Sequence, residues 1–173
     1  MADTIPAAVL KNTFSLGDFF RRVDIMQRFF EHFFFEATSL EGDRAQLLRT
    51  YYRDGDPETL THANAVAAWG TDVLDTYTAS NLYERVSEFK QTIRACPTLI
   101  LYVPAHLSRI QIERISTWCR TNIKPTLILD LHIDPRVVGG CAFAYDNVYH
   151  DVSLTYFLKK QRAEILKLVR AYE

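Results

Sequence analysis

A chain of 173 residues has room for one domain of good size or two small ones, and its 48% apolar and 13% aromatic content suffices for a packed core and excludes a disordered polymer. A formal net charge of −1 excludes any global attraction to nucleic acid or to anionic lipid. Residues 1–80 nevertheless hold 7 Lys+Arg against 12 Asp+Glu and residues 81–173 hold 13 against 9, a split of −5 and +4 that suits two parts with different partners or two parts that attract each other.

Residues 1–12 read as a loose lead-in without the charged start and apolar run of a signal peptide, and Asn12 or Thr13 is placed to cap a first helix. Phe19, Phe20, Val23, Met26, Phe30, Phe33 and Phe34 then recur at helical spacing. Arg21, Arg22, Asp24, Gln27, Arg28 and Glu31 fill the other side, which predicts one long amphipathic helix ending near Thr38. Phe29 and Phe35 widen its apolar face, so more than one neighbour is expected to cover it.

Asp43 is placed to cap a second helix holding Ala45, Leu47, Leu48, Tyr51 and Tyr52. Asp54-Gly55-Asp56-Pro57 is the strongest turn, with Asp56 as N-cap and Pro57 as the first residue of a third helix through Leu60, Ala63, Val66, Ala67 and Trp69. Gly70 is expected to break it before Val73, Leu74 and Tyr77. The small polar run Thr78-Ala79-Ser80-Asn81 lies where the charge balance changes sign and reads as a linker. Beyond it, Leu82, Val86, Phe89 and Ile93 mark a helix in which Asn81 and Glu84 have the spacing of a capping box, and Pro97 ends it.

Thr98 to Val103 is a nearly unbroken apolar and β-branched run, predicting a strand covered on both faces. Ile112, Ile115 and Cys119 set a helix over 108–121, and Thr126 to Leu131 is a second apolar strand. Strand, helix, strand is a βαβ crossover, so the two strands are expected to be parallel. A closing helix carries Phe157, Leu158, Ile165, Leu168 and Val169, with Lys159, Lys160, Arg162, Lys167 and Arg170 on its other side. The class expected is α+β: an N-terminal all-α helical bundle over residues 1–78, then a small C-terminal α/β domain over 79–173 with a βαβ unit and a hairpin. No run approaches the ~20 apolar residues that span a bilayer.

Chemistry is thinly spread. Asp130, His132 and Asp134 alternate along a strand end and share a face, the pattern of a metal or general-base site, yet they span ~13 Å at ~3.3 Å per residue, too far for one ion. A small α/β enzyme or metal- or ligand-binding domain built on these three is one of two functional readings. His62, His106 and His150 have no partner at ligand spacing, and Cys96, Cys119 and Cys141 read as buried thiols with no disulfide framework. Neither the P-loop nor the dinucleotide fingerprint is present. The basic closing helix suits an acidic protein partner better than nucleic acid, because Glu164 and Glu173 dilute it.

The second reading comes from the stretch between the crossover and that helix. Asp134-Pro135, two valines, Gly139-Gly140, then Phe143 and Tyr145 alternating with Ala142 and Ala144 predict a bend or bulge at the Gly pair inside a strand. Asp146-Asn147 is the turn, Val148 and Tyr149 begin a return strand, and Asp151 and Ser153 lead into the closing helix. Over roughly residues 96–158 this ordered set resembles the δ subunit of F-type ATP synthase, whose mitochondrial counterpart is the oligomycin-sensitivity-conferring protein. The chain departs from that family at Val152, where a small residue is usual, and in a shorter N-terminal part.

The resemblance implies a non-catalytic peripheral-stalk, or stator, subunit in proton-driven ATP synthesis, with no cofactor and no metal. Its partners would be the N-termini of the catalytic head's α subunits and the far end of the stalk's b subunits, with no nucleic acid. It would be a monomer within a hetero-oligomer, soluble in isolation and peripheral to the cytoplasmic or matrix-equivalent membrane face through the complex. Asp134, Gly139, Gly140, Asp151 and Ser153 would then be structural motif residues. Phe19, Val23, Met26, Phe30, Phe33 and Phe34 would line the groove for a partner helix.

Overall fold

The computed structural model describes residues 6–36, 42–162 and 167, and among them the chain is mixed α+β, with eight α-helices, a π-helical turn and one four-stranded mixed sheet. It divides into two compact units, residues 1–97 and 98–173. The first has helices α1 (Ala7–Asn12), α2 (Leu16–Glu31), α3 (Arg44–Tyr51), α4 (Pro57–Ala67), α5 (Thr71–Leu74) and α6 (Leu82–Arg94), with the π turn His32–Glu36 prolonging α2. The second contains β1 (Thr98–Val103), α7 (Arg109–Asn122), β2 (Ile128–Ile133), β3 (Ala142–Tyr145), β4 (Val148–Asp151) and α8 (Leu154–Lys160).

The division falls at Pro97, not after residue 78 as the linker-like run suggested. Helix α6 packs on α2 because its ring Phe89 meets Phe19 edge-on at 5.1 Å and Trp69 at 5.8 Å, while Leu82, Val86 and Ile93 are buried. Asn81 does not complete a capping box. Its side chain accepts the Thr78 N–H at 2.8 Å and donates to the Thr76 carbonyl at 3.1 Å, tying the preceding turn instead. A short polar run that looked like a linker is thus a hydrogen-bonded corner.

Within the first unit α2 is the centre, lying against α3, α4 and α6. Its N-cap is Ser15, whose hydroxyl accepts the Asp18 N–H at 3.1 Å; Asn12 and Thr13, the expected caps, end the short helix α1 over a stretch read as loose. The expected end of this helix near Thr38 lies outside the described residues. Asp43 and Asp56 cap α3 and α4 as the sequence predicts, with Pro57 in the first turn, and Gly70 takes a positive φ of 84° between α4 and α5.

In the second unit the sheet order is β2-β1-β3-β4, with β1 and β2 parallel around α7 and the other pairs antiparallel. Leu99, Leu101 and Val103 of β1 face a core with Cys119, Leu127 and Leu129, against which Ile112 and Ile115 of α7 pack. The alternate residues Thr98, Ile100 and Tyr102 are only half-buried, so β1 is fully covered on one face and partly on the other. Asp146 and Asn147 both take positive φ, 50° and 62°, which gives the two-residue hairpin a twist that matches its strands.

Candidate functional site

The five motif residues sit around the β3–β4 hairpin, where they make backbone and side-chain hydrogen bonds and tight turns. Asp134 follows β2 and donates its N–H to the Val103 carbonyl at 2.8 Å, while its carboxylate takes the Arg136 backbone N–H, Nε and Nη2 at 2.9–3.0 Å. The Arg136 hydrogen bonds hold that carboxyl below the usual range. Gly139 and Gly140 precede β3 as a bend, not a bulge within it, with φ of 66° and 74°. The Gly139 carbonyl accepts the Leu154 N–H and the Cys141 carbonyl accepts the Val152 N–H, each at 3.0 Å, so residues 139–141 run beside 152–154.

The Gly pair permits that approach: a Cβ on Gly140 would lie 2.6 Å from the Val152 carbonyl oxygen, and one on Gly139 would lie 3.2 Å from the Leu154 Cβ. The Ser153 side chain first, and then the Ser153 backbone N–H that Asp151 Oδ1 accepts at 2.9 Å, lower the Asp151 pKa, and the Ser153 hydroxyl caps α8 by accepting the Tyr156 N–H at 3.2 Å. Val152 is exposed between them. The sequence missed which side of β3 the glycines occupy, because an apolar run around a Gly pair reads alike for a strand and for its approach.

The strand-end trio does not form one site. Asp130 Oδ2 lies 3.1 Å from His132 Nε2, and the imidazole packs 5.5 Å from the Tyr102 ring on the neighbouring strand, but Asp134 is committed to Arg136. Among the described residues no three His, Cys, Asp or Glu side chains gather as metal ligands. His150 stacks on Phe143 at 4.9 Å, and His106 is exposed after β1. Cys119 is buried and Cys96 and Cys141 are partly buried; burial raises the Cys119 and Cys141 thiol pKa values.

The groove expected on α2 is already filled. Phe19, Val23, Met26 and Phe30 are fully buried, and Phe33 and Phe34 are half-buried. Phe30 stacks on Phe34 and on Tyr77, both at 5.3 Å, so the chain's own later helices cover what the sequence left for a partner. Arg22, assigned to the polar side, is also buried and donates to the Asn12 carbonyl and, at 2.9 Å, to the Thr13 hydroxyl. Buried His62 lies in the field of Arg22, and burial first, then that guanidinium, lowers its pKa. A cation at a position facing α4 leaves no periodic signal; only the packing reveals it.

Exposed apolar side chains lie elsewhere, among them two groups. Around the π turn, Phe35 and Tyr83 stack at 6.4 Å with an interplanar angle of 9°, and Tyr51 lies 6.0 Å from Phe33. On α8, Leu154, Phe157 and Leu158 are about half exposed beside Lys159, Lys160 and Arg162, although Phe157 and Leu158 were expected to pack inward. Ile165, Leu168 and Val169 lie outside the described residues. No family model matches the chain, and no curated protein matches it.

Proposed function

We propose that the chain is a non-catalytic peripheral-stalk subunit of a rotary F-type ATP synthase, joining the catalytic head to the b-subunit stalk against rotor torque. The supporting observation is the ordered motif of residues 96–158. The Gly pair has the positive φ and close backbone approach that make glycine necessary there, and Asp151 and Ser153 hold the turn into the last helix. The helical elements before Pro97 would act as the bundle that grips the α subunits. The exposed apolar and basic side chains of α8, with no Asp or Glu between Val152 and Arg162, suit an acidic helix of the stalk. Membrane association would come through the complex, and no described helix is long and apolar enough to cross a bilayer.

The test is to tag the chain in its source cells, solubilise membranes in mild detergent and identify what co-purifies. Catalytic α and β subunits together with b subunits in fixed ratio are the expected result. Recovery of the chain free of them from membranes that contain an intact synthase overturns the assignment.

A further inference from the structure

The sheet order leaves β4 as an outer strand, and its backbone pairing follows from its turn. A two-residue hairpin makes Tyr145 and Val148 a hydrogen-bonded pair, so along the register Val148 and His150 spend their N–H and C=O groups on β3. The Val152 N–H, bonded to the Cys141 carbonyl at 3.0 Å, continues that series. Tyr149 and Asp151 alternate with these residues and direct their N–H and C=O groups away from the sheet, where no strand meets them among the described residues. Ser153, next in line, gives its N–H to Asp151 Oδ1 at 2.9 Å, which closes the edge at that end.

Outer strands are ordinarily protected by Lys, Pro or a bulge, because an open ladder recruits another strand. Between Tyr145 and Ser153 there is no Lys, Arg or Pro, and the register with β3 runs without a bulge. Val148, Tyr149 and Val152 are 51%, 60% and 43% exposed. The other outer strand, β2, starts among fully buried Leu127, Ile128 and Leu129, and the Leu127 carbonyl already accepts from Arg120 Nε at 2.9 Å. We propose that β4 pairs antiparallel with β4 of a second copy of this chain, about a two-fold axis at His150, joining the two four-stranded sheets edge to edge. In that register Tyr149 and Asp151 of each copy exchange N–H···O bonds with Asp151 and Tyr149 of the other, so every free group of the edge is used. Val148 then lies opposite Val152 of the second copy, and no acid faces an acid. The neighbouring register, centred on Tyr149, would set Asp151 opposite the turn residue Asn147, whose φ of 62° takes it out of the ladder. The inference rests on the hairpin alone and not on the stalk assignment.

About five residues a side bury less than the ~1,200 Å² of a stable interface, so the dimer is expected to dissociate at roughly 10 µM to 1 mM. In sedimentation equilibrium of the full chain across that range, the mass should rise from 20.0 kDa toward twice that value. Exchange of the Tyr149 and Asp151 amides should slow over the same concentrations. Val148→Lys/Val152→Lys, at two surface positions, should weaken association about ten-fold or more by setting like charges opposite each other. His150→Cys should oxidise to a covalent dimer faster than Tyr149→Cys, because opposed Cα atoms at the axis lie about 4.5 Å apart. Phe157→Ala/Leu158→Ala and Trp118→Ala, at other exposed apolar positions, should leave association within about two-fold. A mass of 20.0 kDa at every concentration, association unchanged in Val148→Lys/Val152→Lys, or preferential cross-linking of Tyr149→Cys overturns the proposal. So does protection of the edge amides only by an added Val/Thr peptide, since the occupant would then be a strand of another protein. A monomeric chain that co-purifies with a synthase overturns this inference alone, and a self-associating chain that does not co-purify overturns the stalk assignment alone.

Discussion

Gly140 is the glycine with the least room for a side chain. At φ +74° an added Cβ costs roughly 1–2 kcal/mol in backbone strain, and a contact of 2.6 Å with the Val152 carbonyl forces a shift costing about 1–3 kcal/mol more. Gly140→Ala should therefore lower stability by about 2–5 kcal/mol, whereas Gly42→Ala, at φ +109° with nothing within 4 Å, should show only the strain. Equal denaturant midpoints for the two variants would refute the close-approach account. His62 makes a second prediction at this scale. Its folded pKa is depressed from 6.5, so its contribution is complete above pH 6.5 and is lost as pH falls from there toward the folded value. Urea midpoints should drop as pH falls below about 6.5, and His62→Gln should flatten that drop. The lowered carboxyls of Asp56, Asp134 and Asp151 act below about pH 4, outside this window.

At the level of elements, two apparent capping boxes behave differently. Ser108 and Gln111 form a reciprocal box on α7: the Ser108 hydroxyl accepts the Gln111 N–H at 3.4 Å, and Gln111 Oε1 accepts the Ser108 N–H at 2.8 Å. Asn81 and Glu84 have the same spacing, but Asn81 faces back to the turn. Ser108→Ala should cost about 1 kcal/mol and speed amide exchange in the first turn of α7. Asn81→Ala should instead speed exchange at the Thr78 amide and leave the first turn of α6 unchanged. The reverse pattern would mean that sequence spacing, not the neighbouring turn, decides the cap.

At the scale of the whole molecule, α6 belongs with the residues before it. Its buried Leu82, Val86 and Ile93 each contribute about 1.5–3 kcal/mol, a total comparable with the roughly 5–15 kcal/mol that stabilises a domain. A 1–97 fragment should fold with a cooperative thermal transition, and a 1–80 fragment should not. A cooperative transition in the shorter piece would show that Phe19 and Trp69 do not need Phe89.

Sequence alone determined the features that depend on neighbours along the chain: the Asp56-Pro57 helix start, the parallel crossover of β1 and β2, and the Asp146-Asn147 turn, where backbone preference acts within a few residues. It also marked Gly139-Gly140 as special, though not the Val152 carbonyl that makes Gly140 necessary. Tertiary structure decided the rest. Periodicity shows that α2 has an apolar face but not what covers it, and α6 and Tyr77 close over that face because burying it is worth more than the polar corner between them costs. The same competition buries Arg22 against backbone oxygen and leaves Phe35 and Tyr83 in water, an allocation of burial fixed only when all the helices are present together.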